Sequence, residues 1–156
     1  MSAVLLAILL QSTSINASLT LPEGATLPPS TRAVLLPRQY ANLFNAAAQE
    51  RIDNYWEAFK NAGMAERQKE QFTLYMAIAY TSALDATVAE MRRDSKVNIG
   101  SLIRNVSQGQ FEFRGVPAGE YKLVVTANLR GTDYVWMENL HVESFPIILL
   151  MKNRVP

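Results

Sequence analysis

Cysteine is absent from this chain of 156 residues, and histidine occurs once, as His141. The absence of cysteine excludes disulfides, thiolate catalysis and cysteine-ligated zinc or iron–sulfur clusters. A single histidine leaves few ways to build a metal centre or a general base. We therefore expect no catalytic residue, no cofactor and no metal site.

An excess of either charge is also missing, with 15 Lys and Arg against 14 Asp and Glu and a formal net charge of +1. Nucleic acids and anionic membranes reward concentrated positive charge, so we expect neither as the main partner. Seven Gly and seven Pro are too few for a low-complexity chain, and the hydrophobic fraction of 49% suits one packed domain.

The first residues form an uncharged apolar run, Ala3 to Leu10, followed by polar residues and a small-residue stretch ending at Ala17. This order is typical of a secretory signal peptide, although no Lys or Arg precedes the run. The run is too short to cross a bilayer as a helix. We predict a signal peptide over residues 1–17, cleaved after Ala17, and an exported protein, periplasmic or secreted and bacterial. The alternative is that Val4 to Leu10 is a buried first strand.

The remainder, residues 18–156, is predicted to be one domain in which a helical segment interrupts short strands. Two strands, at Leu19–Leu21 and Ala33–Leu36, precede the segment. Residues 39–94 contain no Pro and repeat apolar side chains every three or four positions, which indicates an antiparallel two-helix hairpin. The middle of the second helix is apolar nearly all round, so we expect cover on two sides.

After residue 95 the apolar pattern changes to the period of two that is typical of strands. Residues 97–106 are predicted to form one or two short strands, and three longer strands follow. Tyr134 and Trp136 share one strand face, which is either open to solvent or in contact with the hairpin. The apolar run Ile147–Met151 is predicted to be a final strand buried on both sides.

One stretch carries a resemblance to a known family. Residues 109–123 read GQFEFRGVPAGEYKL, which is similar to a motif of carboxypeptidase regulatory-like domains. The resemblance implies a prealbumin-like, or transthyretin-like, antiparallel β-sandwich of about seven strands and says little about activity. It leaves residues 39–94 unexplained, so the expected fold class is α+β, with the helical hairpin inserted in the sandwich.

No catalytic pattern stands out. Enzymes with sandwiches of similar architecture rely on several histidines, and His141 lies between apolar residues of a strand. Paired carboxylates occur only among Lys and Arg on the helices, as on a solvated helix surface. We predict that the protein is not an enzyme and keep an uncharacterised hydrolase as the second alternative.

Aromatic side chains concentrate in the hairpin, where they either pack the helices onto the sheet or serve as anchors for a partner. Tyr55, Trp56 and Tyr80 are the candidate partner-binding residues. The predicted function is a non-catalytic protein-binding, adaptor or structural module of the cell envelope, with another envelope protein as partner. The first alternative is a small-ligand carrier with a pocket between hairpin and sheet, lined by Tyr, Trp and Met. No residue identifies a homo-oligomer.

Overall fold

The computed structural model describes residues 12–60 and 66–156. The predicted apolar run Ala3–Leu10 lies outside these residues. The described part contains eight strands and three helices. In chain order they are β1 (Ser12–Leu19), β2 (Arg32–Pro37), α1 (Arg38–Lys60), α2 (Glu66–Arg93), α3 (Ile99–Leu102), β3 (Ile103–Asn105), β4 (Gln110–Pro117), β5 (Gly119–Leu129), β6 (Thr132–Val142), β7 (Ile147–Met151) and β8 (Arg154–Val155).

The strands form two sheets, one of three strands in the order β4-β1-β7 and one of five in the order β3-β2-β5-β6-β8. In the small sheet β1 is central, antiparallel to β4 and parallel to β7. In the large sheet β5 and β6 form a long hairpin that is paired from Gly119 with Val142 to Leu129 with Thr132. β5 is also paired with β2, which lies on the side of β5 opposite to β6.

A first apolar core fills the space between the sheets. Alternate residues of each strand point into it, as the period of two requires. Trp136 of β6 is fully buried there, and its indole Nε1 donates a hydrogen bond to the carbonyl oxygen of Thr20 at 3.0 Å. The strand face shared by Tyr134 and Trp136 therefore faces the small sheet. The buried members of this core include Ile15, Ala17, Leu19, Ala33, Leu35, Phe111, Phe113, Leu123, Val125, Leu140 and Met151.

A second apolar core lies on the opposite face of the large sheet, under the helical hairpin. β2 serves both cores, because Ala33 and Leu35 face the small sheet while Val34 and Leu36 face the helices. This explains why β2 is apolar at four consecutive positions. The helices contribute Tyr40, Ala41, Phe44, Ala48, Ala77, Ala83, Leu84, Val88 and Met91. The predicted α+β sandwich with an inserted two-helix hairpin is confirmed.

Two polar contacts accompany the packing of the hairpin. The Tyr40 hydroxyl donates to Asp94 Oδ2 at 2.6 Å, which joins the start of α1 to the residue after α2. This hydrogen bond, followed by the one from the Lys96 backbone amide, lowers the pKa of Asp94. Farther along α2, Asp85 forms an ion pair with Arg32 of β2.

The predicted boundary between residues 17 and 18 falls within β1. Residues 12–17 form most of β1, the central strand of the small sheet, and Ile15 and Ala17 are buried in the first core. A chain beginning at Ser18 would lack residues 12–17 of this strand. The signal peptide itself stays a prediction, and a cut consistent with the fold would precede Ser12.

Two sequence predictions were wrong in part. Residues 97–106 contain the short helix α3 before β3, and not strands alone. β7 is not buried on both sides, because Ile148 is 90% exposed and Leu150 is also exposed. Both side chains lie on the outer face of the small sheet, where none of the described helices packs against the strand.

Candidate functional site

The far half of the hairpin extends beyond the sheet. Ile52 is the last buried residue of α1, and Ala77 is the first buried residue of α2 among the side chains that the structure describes. The second core likewise includes no residue of α1 after Ala48 and none of α2 before Ala77. We call residues 53–60 and 66–76 the hairpin tip. The tip of α1 alone is about 12 Å long at 1.5 Å per residue.

Stacked aromatic rings hold the two helices of the tip together. The rings of Tyr55 and Tyr75 are nearly parallel, with centroids 3.6 Å apart and an interplanar angle of 11°. Tyr55 also stacks on Phe72 at 5.9 Å, and Trp56 meets Phe72 edge-on at 5.2 Å. Such pairs add about 0.5–1.5 kcal/mol each beyond simple burial. The tip is therefore tied together, although none of its described residues belongs to the second core.

The three predicted anchor residues occupy two places. Trp56 belongs to the tip and is 38% exposed, whereas Tyr55 is half-buried in the stack beneath it. Tyr80 is half-buried nearer the sheet, where its ring stacks on the buried Phe44 at 6.0 Å. Trp56 is thus the predicted anchor with an open surface, and the structure separates Tyr80 from it.

Two apolar residues of the site were missed by the sequence analysis. Leu74 and Ile78 of α2 are 41% and 50% exposed and lie one helical turn apart on the same side of the helix. The signal for them was the apolar middle of α2, which was predicted to be covered on both sides. In the structure, the described residues cover one side of α2 only, so Leu74 and Ile78 add to the exposed apolar surface of the hairpin.

Polar contacts flank the apolar surface. Arg51 donates from Nε to the Ser82 hydroxyl at 3.2 Å and from Nη1 to the carbonyl oxygen of Ala47 at 2.8 Å, and so links the two helices. On the outer side of α1, Gln49 donates to Asp53 at 2.6 Å. The base of the tip is consequently fixed by hydrogen bonds where the apolar core ends.

The layer between the hairpin and the sheet is filled by side chains. Phe44, Leu84 and Met91 have no exposed surface there and pack against Val34 and Val124 of the sheet. The cavity lined by Tyr, Trp and Met that a carrier would need finds no support in this layer. The small-ligand carrier stays an alternative prediction.

His141 is exposed on β6 and is engaged by two carboxylates. Its Nδ1 contacts Glu120 of β5, the cross-strand neighbour, and its Nε2 lies 3.1 Å from Glu143. The hydrogen bond and then the charge of Glu120 raise the pKa of His141, and Glu143 adds to the shift. The two carboxylates bind opposite ring nitrogens, which is the geometry of a surface ion pair. No hydroxyl of the described residues is hydrogen-bonded to the imidazole.

Metal and membrane sites were also sought in the described part of the chain. Over residues 12–60 and 66–156, no three His, Asp or Glu side chains are grouped so that they could hold a metal ion. In the same ranges, no helix combines the length and the apolar character needed to span a bilayer.

Comparison with known proteins gives little guidance. No family model matches the chain, and no curated protein matches it. The resemblance to carboxypeptidase regulatory-like domains therefore stays a prediction. Among solved structures, the chain is similar to the full-length major pilin RrgB from Streptococcus pneumoniae at 15% identity and a TM-score of 0.33. The match covers 91% of this chain and 30% of the pilin chain. A TM-score this low supports no inference about fold or function.

Proposed function

We propose that the protein is a non-catalytic, exported protein-binding module of a bacterial cell envelope, and that the hairpin tip is its recognition element. The observation that carries the proposal is the exposure of Trp56 and Leu74 on the hairpin tip, with the exposed Ile78 one helical turn from Leu74. Exposed apolar residues that are clustered on one element are typical of partner-binding surfaces.

The chemistry of the tip suits binding of another protein. Trp is enriched among the residues that dominate interface energies, especially when less critical contacts surround it. The stack of Tyr55, Tyr75 and Phe72 backs Trp56 with rings that are already ordered. Less side-chain entropy is then lost on binding, and that loss is a main cost of association.

Export is proposed on the sequence alone. The uncharged apolar run Ala3–Leu10 supports a leader, and the absence of cysteine is compatible with a periplasmic or secreted protein that relies on its core. Because β1 needs Ser12, we propose that any cleavage falls before that residue. N-terminal sequencing of the protein from its native host would test this, and a mature terminus at Ser18 would contradict the fold described above.

The binding proposal is tested by removing the tip without uncovering the second core. A variant in which residues 53–76 are replaced by a short Gly/Ser loop keeps Phe44, Ala48 and Leu84 in place on the sheet. Crosslinking in the native envelope, followed by mass spectrometry, would name a partner captured by the intact protein and lost with the tip. Binding would then be measured with the two purified proteins.

Single substitutions sharpen the test. We expect Trp56→Ala to weaken binding of the purified partner about tenfold or more, as for a central aromatic anchor. The matched control is Leu43→Ala, since Leu43 is similarly exposed but lies on α1 outside the tip. Equal binding by wild type, the Trp56→Ala variant and the tip-deleted variant would reject the hairpin tip as the recognition element.

A further inference from the structure

A polar cleft of about 430 Å³ lies where the first turns of α1 meet the ends of β5 and β6, far from the hairpin tip. Arg38, Asn42 and Asn45 line it from α1. Lys122 of β5 and Asn139 of β6 line it from the sheet. These two residues are direct cross-strand partners, so their side chains project from the same face of the sheet.

Lys122 is a half-buried cation with no acidic partner among the described residues. Its Nζ donates to Asn45 Oδ1 at 2.8 Å and lies 5.7 Å from the ring centroid of Phe44. Burial lowers the pKa of Lys122. The carboxylate of Glu120 also lines the cleft but is engaged by His141. The positive charge of Lys122 is therefore not balanced by an ion pair.

The other donors of the cleft are exposed side chains. Within the described ranges, the guanidinium of Arg38 forms no hydrogen bond or ion pair with another residue, and neither do the side-chain amides of Asn42 and Asn139. Lys122 has three N–H donors and uses one of them on Asn45. The cleft consequently offers many donors, together with the two positive charges of Arg38 and Lys122 and the one negative charge of Glu120, which is shared with His141.

We propose that this cleft binds a phosphate monoester group, with Lys122 and Arg38 as the charged donors and Asn42 and Asn139 as amide donors. Arginine presents a planar fork that can hold two phosphate oxygens, and lysine acts as a point charge at a third. The tetrahedral group has enough oxygen acceptors for donors that approach from both the helix and the sheet. This site goes beyond the proposed recognition function, because it takes a small ligand and shares no residue with the hairpin tip.

The proposal is tested with inorganic phosphate and glycerol phosphate as probes on the full chain. Each is titrated while the NMR signals of the Lys122 side chain and of the backbone amides around the cleft are followed, with sodium chloride at equal ionic strength as the reference. We expect saturable shifts confined to the cleft. Arg38→Gln should weaken binding about tenfold, the usual scale for losing one hydrogen bond to a charged group.

Lys152→Gln is the matched control, because Lys152 is an exposed cation that follows β7 and is not part of the cleft. Binding should be unchanged in this variant. Arg38 is exposed, so its substitution leaves the core intact even if Lys122→Gln disturbs packing on Phe44. Equal weakening by Arg38→Gln and Lys152→Gln, or equal shifts with chloride, would overturn the proposal.

A parallel arm distinguishes a soluble phosphate monoester from a lipid headgroup. Cosedimentation is measured with phosphatidylcholine vesicles, with and without phosphatidic acid. Sedimentation that requires phosphatidic acid and is lost in Arg38→Gln would identify the headgroup as the source. Binding of glycerol phosphate without cosedimentation would indicate a soluble ligand, and failure of both arms would refute the site.

Discussion

Replacement of Phe44 by Ala tests whether the hairpin packs on the sandwich as described. Phe44 is fully buried beneath α1, its ring stacks on Tyr80 at 6.0 Å, and Lys122 lies over it. Truncation removes the ring and leaves a cavity between α1 and the large sheet. Buried Phe→Ala changes cost about 3–5 kcal/mol, a value that includes the lost ring contacts.

Leu43→Ala provides a comparison at the neighbouring position. Leu43 is 42% exposed and points away from the second core, so its truncation should cost about 1 kcal/mol or less. Natural domains have about 5–15 kcal/mol of total stability, so the Phe44 change should remove a large share. For a chain of this size the expected fall in Tm is roughly 6–20 °C.

The assay is urea unfolding followed both by far-ultraviolet circular dichroism and by Trp fluorescence. The first signal reports mainly the helices, and the second includes Trp136 in the core between the sheets. Coincident transitions would show that the hairpin and the sandwich unfold together. A difference of less than about 1 kcal/mol between Phe44→Ala and Leu43→Ala would refute the packing of α1 on the sheet.

Three other predictions follow from burial and charge. Each tryptophan can be observed alone in a single-tryptophan variant. Acrylamide should readily quench the fluorescence of Trp56 in the Trp136→Phe variant and only poorly quench that of Trp136 in the Trp56→Phe variant. Equal quenching would contradict the exposure of Trp56. Glu120 and then Glu143 raise the pKa of His141 in the folded state. The stabilisation by this histidine should therefore be complete below the ordinary histidine pKa and lost as pH rises through the pKa of the folded protein. A scan of Tm against pH should show this dependence in the wild type, and the His141→Gln variant should lack it. On β7, Ile148→Lys should change the free energy of unfolding by about 0.5 kcal/mol or less, while Met151→Lys should unfold the domain, and similar effects would contradict the faces assigned to this strand.

The hairpin and the β5–β6 pair could be predicted because their apolar patterns are long. The stripe of α1 includes Tyr40, Phe44 and Ala48, which repeat at helical spacing and are all buried. In β5, Leu123 and Val125 face one core and Val124 faces the other. Patterns sustained over many residues leave one arrangement that buries them, whatever the neighbouring elements do.

β1 was missed because half of its inward side is made of small or polar residues. Thr13, Ile15, Ala17 and Leu19 alternate inward, but only two of them are large and apolar. The preceding apolar run gave the stronger signal, and the Ser and Ala residues resembled a cleavage site. These residues form a central strand because they pair with β4 and β7, which lie about a hundred residues or more farther along the chain.

The error at β7 has a different physical cause. Five consecutive apolar residues, Ile147–Met151, normally indicate a strand covered on both faces, as holds for β2. The hairpin packs on the large sheet, and no element of the described residues covers Ile148 on the outer face of the small sheet. The tertiary arrangement determines which sheet the inserted helices cover. The sequence of β7 alone does not indicate it.

The length of the hairpin is the strongest reason to assign it a role outside folding. A hairpin that served only to cover the large sheet could turn soon after Ile52 and return before Ala77, where burial stops and starts. Ordering the backbone beyond those points costs about 1–2 kcal/mol per residue, and none of the described residues of the tip adds to the second core in return. Helical hydrogen bonds and the aromatic stack offset part of this cost, yet they leave Trp56 exposed. A binding partner that covers Trp56 would recover the hydrophobic free energy that the isolated fold leaves unused.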